Sequence, residues 1–80
     1  MSANHELRQA RCVQSVEWLA ARAAVDPARE AAARTKLADL IARYRFAGVQ
    51  PDGDLFAVVN RVVAAMEAGD AAAVSARPCN

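Results

Sequence analysis

Apolar residues recur with a helical period of about 100° per residue through nearly the whole chain, and the pattern breaks at three places. The breaks are Val25-Asp26-Pro27, the stretch from Gly48 to Asp54, and Gly69-Asp70. They divide the chain into helices expected over about 4–25, 27–47, 54–68 and 70–76. The fold class expected is therefore all-α, a small bundle of three helices plus a short C-terminal helix, as one domain over 1–80.

In the first helix Asn4 suits the N-cap, and Cys12, Val13, Val16, Leu19, Ala20 and Ala23 share a face that reads as the core stripe. Leu7, Trp18 and Val25 fall on the other side, where Arg8, Arg11 and Arg22 surround the tryptophan. In the second helix the stripe is Ala33, Leu37, Leu40, Ile41 and Tyr44, with Phe46 well away from it. Phe46 is therefore expected on the corner, on another element, or on a partner. Leu55, Phe56, Val59, Val62, Val63 and Met66 form one face of the third. The run Val58 to Val63 is rich in β-branched residues and would also suit a strand. Helix is the better reading, because the i, i+3, i+4, i+7 pattern spans three turns and no second strand is present to pair with.

The breaks have their own chemistry. Asp26 can cap the second helix and Pro27 fits its first turn, where no N–H is needed, so the first two helices should form an antiparallel hairpin. Gly48 suits a left-handed helix end, and Asp52 or Asp54 can cap the third helix, which stops at Gly69. Asp70 can cap the last helix, which Pro78 ends.

Composition narrows the core. The 55% apolar content includes twenty-one alanines, which favour helix but bury little area. A chain of 80 residues buries only about 60% of its unfolded surface, so a partner or self-association is a reasonable expectation. Net charge is +1, with eight Lys/Arg against five Asp/Glu in residues 1–47 and two against four afterwards. That imbalance is small for a phosphate-binding surface, so a helical nucleic-acid-binding domain is the second reading of function rather than the first. No run of about 18 uncharged apolar residues suggests a membrane span. Glu6, Arg8 and Arg11 stand where a signal peptide would need its apolar core, so a cytoplasmic protein is expected. In that compartment Cys12 and Cys79 are expected as free thiols rather than a disulfide.

Candidate chemistry is sparse. His5 has no neighbouring nucleophile and reads as a solvated first-turn residue. Asp52 and Asp54 read as caps, since a hard-metal loop needs more oxygen ligands. Gly48 and Gly53 lack the pattern of a phosphate loop. No enzyme activity, cofactor or metal is expected. The line Arg29, Lys36, Arg43 repeats every seven residues along the second helix and reads as a solvated basic face. Trp18 with Arg11 and Arg22 has two readings, a core aromatic covered by a later helix or an exposed contact, because Trp and Arg dominate binding hot spots. The residues expected to touch a partner are Trp18, Arg11, Arg22, Arg43 and Phe46.

From about Ala38 to Ala76 the chain resembles the VbhA-type antitoxins of Fic adenylyltransferase toxins. The resembling residues are Ala42, Arg45 and Gly48, then Pro51-Asp52, then Arg61-Val62-Val63 and the stop at Gly69-Asp70. The resemblance implies a small all-helical inhibitor that places a helix over its target's nucleotide site. In that family the helix carries Ser or Thr, then three residues, then Glu-Gly. Here Arg43 stands at the first position and Ala47 at the glutamate, ahead of the retained Gly48. The function expected is a non-catalytic protein-binding module, an inhibitor or antitoxin-like regulator of a larger protein, of the kind phages and plasmids encode.

Overall fold

The computed structural model describes residues 3–76 and 78–79. Four helices follow one another: α1 (Ala3–Ala23), α2 (Pro27–Ala47), α3 (Gly53–Ala68) and α4 (Ala71–Ala76). The all-α fold class expected from periodicity is the one observed.

α1 and α2 are each 21 residues long, about 31 Å at 1.5 Å per residue, and so account for most of the 36 Å long axis of the molecule. They run antiparallel. Near the open end of the hairpin the Tyr44 hydroxyl donates to the Glu6 carboxylate and lies 3.5 Å from the Ala3 carbonyl. Near the turn Arg29 donates to both oxygens of Glu17, at 3.0 and 2.9 Å. α3 packs across both helices, and α4 closes against α1 and α3.

The helix ends are built as the break residues require. Asp26 accepts from the Arg29 N–H at 3.2 Å. Asp52 accepts from the N–H groups of Asp54 and Leu55 at 3.0 and 3.1 Å, so Asp52 rather than Asp54 is the cap of α3. Asp70 accepts from the Ala73 N–H at 3.1 Å. Asn4 is not the N-cap expected of it. It lies within α1, and its Oδ1 accepts from the Asp52 N–H at 2.7 Å, which ties the corner to the first turn of the chain.

The core holds Leu7, Trp18, Leu37, Leu40, Ile41, Leu55, Val59, Val63, Met66 and Val74, with Ala33 beside them. The stripes read for α2 and α3 supply most of it. The stripe read for α1 does not. Its inward face is Leu7, Arg11, Ser15, Trp18 and Ala21, nearly opposite the expected one, and Val13 and Val16 are 52% and 50% exposed. The indole accounts for much of the reversal: Trp18 is the largest apolar side chain of α1 and Leu7 joins it, whereas the expected stripe sets Leu19 among smaller residues. Trp18 is 1% exposed, the core placement among its two readings, and Arg11 is 4% exposed, so neither lies at the surface as a partner contact would.

Cys12 and Cys79 are joined in a disulfide with a Cα–Cα distance of 4.2 Å across a sequence separation of 67, which corrects the expectation of free thiols. Nothing in the spacing of the two cysteines signals this. The bond follows from α4 carrying the chain back to the middle of α1. Closing a loop of that length removes denatured-chain entropy equivalent to about 4 kcal/mol on the chain-entropy account.

Candidate functional site

The last three turns of α2 turn one side to the core and the other to solvent. Leu37, Leu40 and Ile41 are buried and Tyr44 is half-buried, while Lys36, Asp39, Ala42, Arg43 and Phe46 line a shallow depression on the outside. The outer set follows the i, i+3, i+4, i+7 spacing that stacks side chains along one face of a helix. Phe46 is 97% exposed. Neither the corner nor another element covers it, which removes two of the three placements its sequence position allowed.

The cations near this face differ in their engagement. Arg29, the first member of the seven-residue basic line, is held bidentately by Glu17. That pairing draws the Glu17 pKa below its ordinary value, mainly through the hydrogen bond, and raises that of Arg29. Arg45 leans onto α3, with its guanidinium carbon 5.4 Å from the Phe56 ring centroid and Nη2 3.5 Å from the Asn60 Oδ1. Among the described residues no ion pair engages Lys36 or Arg43, and the Asp39 carboxylate makes none with Arg43. The surface is therefore an exposed aromatic ring between two free cations and one carboxylate.

The remaining expected contacts sit elsewhere. Arg22 is partly exposed, but its guanidinium stacks 5.0 Å from the Trp18 ring centroid and reaches Glu30 at 3.5 Å. It roofs the buried indole rather than offering a free donor. Arg11 lies in a groove between α1, α3 and α4, with Val58, Arg61, Val62, Ala65, Ala73 and Ala76. The five residues read as one set of contacts thus divide: Trp18, Arg11 and Arg22 build the core and its cover, and Arg43 and Phe46 stand together outside. Lys36 and Asp39 complete that outer face, and their spacing from Phe46 was visible in the sequence.

On the inner side of the same helix, Tyr44 has its pKa pushed up to about 12, first by burial and then by the neighbouring Glu6 carboxylate. Its hydroxyl acts as a donor across the hairpin. His5 is exposed in the first turn of α1. Among the described residues no group of three His, Cys, Asp or Glu is placed to hold a metal ion, and no helix is long and apolar enough to cross a membrane.

Set against protein families, characterised proteins and solved structures, the chain finds no match in any of the three.

Proposed function

We propose that the protein is a non-catalytic binding module, an inhibitor or antitoxin-like regulator of a larger protein, and that its contact face is Phe46 with Arg43 and Lys36. The observation that carries this reading is the 97% exposure of Phe46 beside two unpaired cations. A large ring left in water forgoes about 1.5–3 kcal/mol of burial, and in binding surfaces aromatic residues and arginine supply the anchors. The partner that fits presents an apolar pocket rimmed by carboxylates: the ring fills the pocket, and Arg43 and Lys36 meet the acids.

The resemblance to VbhA-type antitoxins supports the same face, since Arg43 and Ala47 occupy the positions where that family carries its inhibitory residues. With alanine at 47 no carboxylate enters the target's nucleotide site, so inhibition here rests on Phe46 and Arg43 occupying the cleft. A nucleic-acid surface is the weaker reading, because Glu17 neutralises Arg29 and leaves the basic line with two cations. A cytoplasmic location belongs to this proposal only with a reduced Cys12–Cys79 pair; the intact disulfide suits an oxidising compartment.

Calorimetric titration against the Fic adenylyltransferases encoded in the same genome tests the reading. Binding that weakens more than about tenfold, roughly 1.4 kcal/mol, in Phe46→Ala and in Arg43→Glu supports it. No binding by the unaltered chain removes the antitoxin-like part, and equal affinity of the variants removes the Phe46 face.

A further inference from the structure

We propose that the Cys12–Cys79 disulfide is a redox latch: it holds α4 in place, and reduction by a dithiol frees α4 while α1, α2 and α3 stay folded. The bond joins the middle of α1 to the segment that follows α4, with the two Cα atoms 4.2 Å apart. Three further features make the covalent link, rather than packing, decide where α4 sits.

The first is the weakness of α4 itself. It has six residues, four of them alanine, and a helix of that length does not sustain itself in water. It buries one side chain, Val74, and its start is fastened by one cap from Asp70. The ordering entropy of the segment is set against the burial of a single valine.

The second is that the α1–α2 hairpin and the ends of α2 and α3 are fastened by residues outside α4. Both ends of α2 and α3 are capped by residues outside α4, and the pairs Glu17–Arg29 and Glu6–Tyr44 join α1 to α2. The third is position: Cys79 is an exposed residue and Cys12 a half-buried one, so the bond lies near the surface on its Cys79 side.

The exchange balances. One thiolate of the dithiol attacks Cys79 Sγ, the Cys12–Cys79 bond breaks, and Cys12 leaves as a thiolate that takes up a proton. The second thiol of the reductant then attacks the mixed disulfide and releases Cys79 as a thiol. Two electrons pass to the protein, and the dithiol becomes a disulfide. Once free, α4 withdraws Ala73 and Ala76 from the groove and uncovers the side of α3 that carries Val58, Val62 and Ala65. The latch is independent of the Phe46 face, which lies on α2.

Amide hydrogen exchange followed by NMR tests this on the full chain, oxidised, reduced with excess dithiothreitol, and as Cys79→Ser without reductant. In the oxidised chain Ala73 and Val74 are expected to be protected. On reduction they should fall to within about tenfold of the unprotected rate, while Leu40 and Ile41 keep at least about a hundredfold protection. Cys79→Ser should reproduce the reduced pattern. Persistent protection of Val74 after reduction would mean that packing holds α4. Loss of protection at Leu40 and Ile41 together with Val74 would make the bond a staple of the whole fold, and a Cys79→Ser chain with the oxidised pattern would dispose of the latch. Each of these three results overturns the proposal.

Discussion

Trp18 and Phe46 are both large aromatic residues on long helices, yet the first is 1% exposed and the second 97%. The difference was half legible. Phe46 stands off the stripe of Ala33, Leu37, Leu40, Ile41 and Tyr44, so its place away from that core face was legible, but not whether the corner or another element would cover it. Trp18 stands off the stripe of Cys12, Val13, Val16, Leu19, Ala20 and Ala23, so the sequence left it open between the core and the surface. Truncating Trp18 to alanine should therefore cost about 3–5 kcal/mol, a large share of the roughly 4–12 kcal/mol expected for a chain of this length; urea unfolding measures it. Phe46→Ala should change stability by less than about 0.5 kcal/mol in the same experiment. Tyr44 gives a third residue-scale outcome. Because its folded pKa is raised to about 12 from 10.0, the stability it contributes is present in full below pH about 10 and is lost as pH rises between about 10 and 12. As the single tyrosine of the chain, it can be followed by phenolate absorbance. The midpoint should lie near 12 in the folded protein and near 10 in the urea-unfolded chain.

At the scale of elements, three helices end in the same way and one does so at a cost. α2 and α3 close with Gly48 and Gly69, each at φ 70°, with paired hydrogen bonds back to Tyr44 and Arg45 and to Ala65 and Met66. α1 makes the same pair of bonds, Asp26 N–H to the Ala21 carbonyl at 2.9 Å and Val25 N–H to the Arg22 carbonyl at 3.0 Å, but the residue at positive φ is Val25, at 52°. A β-branched residue there is strained, since its Cβ crowds the neighbouring carbonyl. Val25 is 84% exposed and packs little, so Val25→Gly removes strain without opening a cavity. The variant should be more stable by about 1 kcal/mol, a rise in Tm of roughly 4–8 °C by calorimetry; an unchanged or lower Tm would mean the turn stores no strain. The sequence announced the stops at Gly48 and Gly69 and the start at Asp26-Pro27. It placed the end of α1 at Val25, whereas the helix ends at Ala23, because no glycine marks the left-handed position.

For the whole molecule, the architecture was readable wherever local rules decide it: helix period, caps, glycine stops and the hairpin of α1 and α2. What escaped was long-range. The pairing of Asn4 with Asp52, of Glu17 with Arg29 and of Cys12 with Cys79 joins residues whose proximity depends on how the helices cross. The candidate site divided for the same reason, since which face of α1 turns inward is settled by how it packs against α2 and α3. The face on α2 remains as the surface that burial in the core does not explain. The most direct test places a photo-cross-linking phenylalanine analogue at position 46 and, as a control, at position 25, which is also largely exposed, in the native host. A single protein adduct formed from position 46 and absent from position 25 is the predicted result. Adducts of the same identity from both positions, or none from position 46, would contradict it.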